Sequence, residues 1–198
     1  MKVIDSPPRT HGSLLVERLR SGDSEAREEL YHAYRDRLRA FVSRQLGTEQ
    51  DAAEDIVQET FLAAFSSLDA FRGDSKLYTW LCGIAHHKIA DFYRGKAREA
   101  IREEPDLDLD APNNGMNGDD VPLTPDVVES TEAYHTVQQS LVSLPADYRE
   151  VITLKYFEGM SVSDIGQVMD RSAKSVEGLL SRARKSLRTR LVAAARGN

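Results

Sequence analysis

Gly159-Met160-Ser161-Val162-Ser163-Asp164-Ile165-Gly166-Gln167-Val168-Met169-Asp170-Arg171-Ser172-Ala173-Lys174-Ser175-Val176-Glu177-Gly178 is the stretch whose reading decides the fold. Gly159 stands where a helix opened by Leu144-Pro145 is expected to stop, with Tyr148, Val151, Ile152, Lys155 and Tyr156 on its neighbouring turns. Ser161 has the chemistry of an N-cap, and Asp164 three residues on completes an approximate capping box. Ile165, Val168 and Met169 then form a short apolar face. After the Asp170-Arg171 turn, Ser172 can cap a longer final helix with Val176, Leu180, Ala183, Leu187 and Leu191 in one apolar stripe. A short helix, a tight turn and a longer amphipathic helix together predict a helix-turn-helix.

The outward face of that last helix, read in 100° steps, carries Lys174, Gly178, Ser181 and Lys185, flanked by Arg182 on one side and Arg184 and Arg188 on the other. Major-groove docking needs such a face: small residues let the backbone approach the bases, while Lys and Arg reach phosphates. A solvated basic face on an ordinary helix is the alternative, and helix-turn-helix units also occur in proteins that never touch DNA.

Upstream, Glu103 to Pro125 holds Pro105, Pro112, Pro122 and Pro125 with Asn113-Asn114-Gly115 and Asp119-Asp120, the composition of an extended or disordered linker. The charge follows the same division. The chain totals −6 over 198 residues, but residues 100–143 carry one basic residue against ten acids, whereas residues 144–198 carry ten basic residues against six acids. Such asymmetry points to a C-terminus that faces nucleic acid. Before the linker, Leu14 to Arg98 lacks Pro and repeats apolar residues every three or four positions, predicting helices near 13–20, 24–46, 50–67 and 76–97, broken at Gly22, Gly47 and Phe71-Arg72-Gly73-Asp74. The expected fold is therefore all-α: two small helical bundles, 1–99 and 130–198, joined by a flexible acidic linker, 100–129. With no apolar run near the ~20 residues of a membrane span, no secretory leader pattern and Cys82 as the single cysteine, a reducing, cytoplasmic setting is expected.

The front bundle offers two faces. In the helix near 50–67, Ala53, Ile56, Val57, Phe61, Ala64, Phe65 and Leu68 are the expected buried side, while Asp51, Glu54, Asp55, Gln58, Glu59 and Leu62 share the other. The like-charged pairs Asp51/Asp55 and Asp55/Glu59 each cost about 0.2–0.5 kcal/mol, so an acidic row ending in an exposed leucine suits a basic protein partner, with a merely solvated face as the alternative. In the next helix Lys76, Trp80, His87, Asp91 and Arg94 fall together, opposite the apolar Leu77, Leu81, Ile84, Ala85, Ile89 and Phe92. Basic groups among aromatics can hold single-stranded nucleic acid by phosphate contact and stacking, although Trp80 by itself suits core packing. Cys82 with His86-His87 invites a metal, but a zinc site needs three or four ligands and no further pair lies nearby. No phosphate loop or nucleophile–base pattern is present, so neither catalysis nor a cofactor is expected.

Asp55-Ile56-Val57-Gln58-Glu59-Thr60-Phe61, Phe71-Arg72-Gly73-Asp74-Ser75 and Thr79-Trp80-Leu81 with Ile84-Ala85, followed by Leu144-Pro145, Gly159-Met160-Ser161, Ile165-Gly166 and Ser181-Arg182-Ala183-Arg184, resemble the ordered motifs of extracytoplasmic-function sigma factors, bacterial RNA polymerase initiation factors of the sigma-70 family. The resemblance implies that Asp51, Glu54, Asp55, Gln58, Glu59 and Leu62 dock on the clamp helices of core polymerase. It implies that Arg72, Asp74, Ser75, Lys76, Trp80, His87, Lys88, Asp91 and Arg94 hold the unwound −10 strand and a flipped base. It further implies that Arg171, Ser172, Lys174, Ser175, Glu177, Gly178, Ser181, Arg182 and Lys185 read the −35 duplex, that the linker follows the polymerase channels, and that an anti-sigma protein holds the factor inactive. Two departures stand out: Glu177 and Leu179 occupy positions where similar proteins often carry Arg, and His86-His87 replaces small polar residues. The competing reading is a stand-alone helix-turn-helix regulator whose front bundle senses a ligand or dimerises.

Overall fold

The computed structural model describes residues 11–103 and 136–197, with side chains from 14 to 100 and from 136 to 194. The expected linker falls, from 104 onward, outside the described residues. Helices α1 (His11–Arg20), α2 (Ser24–Leu46), α3 (Ala53–Ser66) and α4 (Leu77–Glu103) form the front bundle. Helices α5 (described over 136–142), α6 (Ala146–Ile152), α7 (Val162–Val168) and α8 (Ala173–Gly197) form the second. No strand occurs among the described residues, and none of their helices is long and apolar enough to cross a membrane.

Local chemistry sets the boundaries. Asp23 caps α2 by accepting from the backbone N–H of Glu25 and Ala26, and Gly47 ends it in the left-handed region at φ 62°. Leu30, Leu38, Phe41, Val42 and Leu46 of α2 are fully buried against Ile56, Val57, Phe61 and Ala64 of α3 and Leu77, Leu81 and Ala85 of α4. Full burial of each such Leu, Ile or Phe contributes roughly 1.5–3 kcal/mol, which is why these three helices hold one another. Thr60 is buried among them because its hydroxyl donates back to the Ile56 carbonyl at 2.7 Å. The expected helix from residue 50 begins with a tighter turn, Gln50–Ala52, and Phe65, expected inside, is only half-buried. Cys82 is buried in this core, and burial pushes its thiol up to about 12.

In the second bundle the helix expected to run on from Pro145 does not stay an α-helix. After Ile152 it widens into a π turn over Thr153–Phe157, closed by the Glu158 N–H on the Thr153 carbonyl at 3.0 Å. Ser161 and Asp164 form the full capping box of α7. The turn to α8 places Asp170 at φ 51° and returns the Arg171 N–H to the Gly166 carbonyl at 2.9 Å. A Cβ on Gly166 would meet the Arg171 carbonyl oxygen at 2.6 Å, a backbone atom that cannot swing aside. Gly166→Ala is therefore expected to cost about 1–3 kcal/mol, read as a lowered urea midpoint at unchanged slope, whereas free accommodation would leave the midpoint in place.

The two bundles pack against each other, α4 along α7 and α2 against α6. Gly83 brings α4 close enough that a Cβ there would lie 4.0 Å from Val168 Cα, and a Cβ on Gly47 would lie 3.1 Å from the Val142 side chain. This contact was not expected from sequence.

Candidate polymerase-facing and nucleic-acid-facing surfaces

Helix α3 turns its apolar side into the core and leaves Asp55, Gln58, Glu59 and Leu62 exposed, Leu62 by 65%, with Asp51 exposed on the tight turn just before it. Glu54, expected on the same face, is half-buried: its carboxylate accepts from Arg35 at 2.9 Å and lies 3.5 Å from Arg39, both on α2. Glu59 pairs with Lys88 at 3.1 Å. The acidic row thus ends beside the face carried by α4.

Between α3 and α4 the chain turns through Leu68–Ala70 and the Phe71–Lys76 loop, with Gly73 at φ 81°. This loop and α4 enclose a cavity of about 390 Å³ lined by Arg72, Asp74, Ser75, Trp80 and His87 among others. Five of the nine residues expected at the melted strand are thereby brought together. Trp80 is half-buried and rests on Phe71 with ring centroids 5.1 Å apart, so it both packs and lines the cavity. Lys76 and the Asp91–Arg94 pair lie outside the lining, and Lys88 is directed toward Glu59. Sequence reasoning missed Thr79, Ile84 and Gly83 in the wall, which read as helix interior, and Gln167, which comes from α7 of the other bundle.

On α8, Val176, Leu180 and Ala183 are buried, leaving Lys174, Glu177, Ser181, Arg182 and Lys185 exposed and Ser175 and Gly178 partly so. Ser172 caps the helix by accepting from the Ser175 N–H at 3.3 Å, and Arg171 is held to Asp147 at 2.5 Å. Leu179 is 3% exposed and belongs to the core, so it presents no side chain to a groove. Leu187 and Leu191 of the expected stripe are half-buried and line, with Val137, Leu141, Tyr156 and Phe157, an apolar groove of about 500 Å³.

Charged contacts cross between the bundles. The Glu158 side chain, 3% exposed, accepts from Arg37 Nε at 2.9 Å and from the Tyr78 hydroxyl at 2.9 Å, with Arg44 at 3.6 Å. Arg149 donates to the Gln45 carbonyl at the end of α2, to which the Tyr93 hydroxyl also donates. Among the described residues no group of three His, Cys, Asp or Glu side chains gathers around a common point, and His86 Nδ1 lies 2.7 Å from Glu150. The hydrogen bond to Glu150 raises the His86 pKa above 6.5, burial opposes this, and the charges of Glu150, Asp170 and Asp147 add to the rise. A group raised in this way contributes fully below its ordinary pKa and loses its contribution as pH climbs through the raised value. The contact is therefore expected to weaken above neutral pH. An NMR titration should place His86 above 6.5 and Glu150→Gln should bring it down; an unshifted His86 in the parent would contradict the pairing.

Comparison with known proteins follows the same two-part division. Residues 30–99 match the family described as Sigma-70 region 2, and residues 134–187 match that described as Sigma-70, region 4. The ECF RNA polymerase sigma factor SigW of Bacillus subtilis (strain 168) is 33% identical over 184 residues, covering 89% of this chain and 94% of its own. The ECF RNA polymerase sigma-E factor of Escherichia coli (strain K12) is 32% identical over 176 residues, covering 88% and 91%. Among solved structures, CnrH in complex with the cytosolic domain of CnrY superposes with a TM-score of 0.63 at 28% identity, over 91% of this chain and 96% of that one. The chain belongs to the extracytoplasmic-function family of RNA polymerase sigma factors. This membership favours promoter-specific transcription initiation over the stand-alone regulator.

Proposed function

We propose that the three surfaces divide the work of initiation by residue. The exposed row Asp51, Asp55, Gln58, Glu59 and Leu62 docks on core polymerase, with Glu54 holding α3 to α2 through Arg35 and Arg39. The cavity of Arg72, Asp74, Ser75, Trp80 and His87 takes an unstacked base of the −10 strand, while Lys76, Lys88 and Arg94 contact its phosphates. Helix α8 reads the −35 duplex through Lys174, Ser175, Glu177, Gly178, Ser181, Arg182 and Lys185, with Arg171 and Ser172 at its start. Glu177 accepts from a cytosine amino group, and Leu179, being buried, contributes nothing to sequence choice.

The observation that carries this reading is the cavity, which assembles basic, acidic, hydroxyl and aromatic side chains beside an exposed acidic row on one bundle. On this reading the working units are 1–99 and 130–198, and the acidic segment between them, 100–129, suits a path through channels that later carry RNA. The factor works in the cytoplasm, where the polymerase is, does no chemistry itself and needs no cofactor. An anti-sigma protein restrains it; the related CnrH was solved with the cytosolic domain of CnrY. The test is transcription in vitro from a promoter library with core polymerase and this protein. Starts from a consistent −35/−10 pair support the reading. Duplex binding by the protein alone, with no directed start, sinks it.

A further inference from the structure

Helix α1 stands ahead of residues 30–99, the part of the chain that matches region 2, yet one contact ties it to the −10 cavity. Leu15, Val16 and Leu19 bury one side of α1 in the front core. Arg18 fastens the helix to the start of α2, through Asp23 at 2.8 Å and Glu29 at 2.6 Å. The end of α1 is therefore fixed to the bundle. From that end Arg20, the last residue of the helix, donates to the Phe71 carbonyl oxygen.

Phe71 is the point at which the cavity loop leaves the core. Its ring is buried and rests on Trp80 at 5.1 Å. Its N–H donates to the Leu68 carbonyl at 3.1 Å, and the loop rejoins α4 where the Trp80 N–H donates to the Lys76 carbonyl, also at 3.1 Å. Between those anchors, Arg72, Gly73, Asp74 and Ser75 make no hydrogen bond or ion pair with other described residues. Yet Arg72, Asp74 and Ser75 supply polar wall to the cavity. Ring burial fixes where the Phe71 side chain lies, but the rigid peptide plane joining Phe71 to Arg72 can still turn about the Phe71 ψ dihedral. The Arg20 hydrogen bond holds that plane by its oxygen and so sets the direction in which Arg72 and its successors leave the core. Binding groups carried on a loop keep their geometry only where neighbouring groups lock them. Among the described residues, Arg20 is the one side chain that hydrogen-bonds the backbone of residues 71–76.

Resting on the sigma reading above, we propose that Arg20 is a positioning residue for the −10 cavity: its hydrogen bond to the Phe71 carbonyl orients the Arg72–Ser75 loop and the Phe71–Trp80 platform so that an unstacked base is captured. The role belongs to α1, outside the surfaces that meet polymerase or the −35 duplex. Arg20 is exposed, so substituting it leaves the core packing intact.

The test compares Arg20→Met, which keeps the stem and removes the donors, with Arg20→Lys, which restores one. Core polymerase carrying the full chain is titrated with the non-template −10 oligonucleotide of the strongest start from the promoter library, intact or abasic at single positions. The parent is expected to favour the intact strand over the most damaging abasic one. Arg20→Met is expected to shrink that preference about tenfold, part of one stacking contact, with abasic binding, core binding and circular dichroism unchanged. Arg20→Lys should recover most of it. Trp80 is the only tryptophan, so the free protein gives a second reading: Arg20→Met should red-shift its emission and speed acrylamide quenching, and Arg20→Lys should not. A parent-like preference or parent-like fluorescence in Arg20→Met, or equal loss in Arg20→Lys, overturns the proposal. So does equal weakening on intact and abasic strands, which would make Arg20 a direct phosphate contact. A parent indifferent to every abasic position would instead overturn the cavity reading itself, and this proposal with it.

Discussion

Reversing Asp55 and Glu59 to lysine is expected to abolish core polymerase binding, with a loss of roughly 100-fold or more in affinity. Like-charge juxtaposition at an interface costs several kcal/mol, and each 1.4 kcal/mol is tenfold. Both side chains are exposed on α3 with the hydrophobic side of the helix turned inward, so the thermal midpoint should barely move. Glu59 also holds Lys88 at 3.1 Å, and that exposed pair contributes at most about 1 kcal/mol to stability. Fluorescence anisotropy with labelled protein and core polymerase measures the binding, and run-off transcription measures the consequence. Retained binding by a folded double variant would remove α3 from the docking surface.

The second large effect is expected at Trp80. Its ring lines the −10 cavity and rests on Phe71 at 5.1 Å, in a position to stack an extruded base. Base–aromatic stacking contributes about 1–3 kcal/mol, so Trp80→Ala should reduce open-complex formation about 10- to 100-fold. Core binding should be unchanged, since the acidic row lies on another helix. Trp80→Phe separates stacking from bulk, because it keeps a π-face and should recover most of the activity. A 2-aminopurine probe in the melted strand reports opening directly. Equal opening by parent and Trp80→Ala would return Trp80 to a packing role.

Most of the architecture was legible because each bundle is locally encoded. The expected helix over 24–46 coincides with α2 since Asp23 caps one end and Gly47 leaves the other in the left-handed region. The helix-turn-helix was readable for the same reason: Ser161, Asp164 and Ser172 perform their capping locally. The cavity was legible in part. Arg72, Asp74 and Ser75 stood out as a polar loop, but Thr79 and Ile84 carried no mark distinguishing a cavity wall from a core. The π turn over Thr153–Phe157 was invisible, since its residues fit an ordinary helix equally well. Least legible were the cross-bundle pairs. Glu158 and Arg37 are 121 residues apart, and in sequence each looks like one more solvated charge. Periodicity reports which side of a helix is apolar, not which distant segment covers it.

Cys82 carries a consequence for how such a factor can respond to a redox change. Oxidants and disulfide partners attack the thiolate, and a thiol raised to about 12 by burial is ionised at pH 7 in roughly one molecule in 10⁵. It is also walled off by the core of the front bundle. Burial and the raised pKa both disfavour attack by peroxide on this cysteine in the folded protein, and the sequence holds no second cysteine with which to close a disulfide within the chain. If the genes under its control answer to a redox change, the chemistry of sensing resides in another molecule, and what reaches this one is a change in who is bound to it.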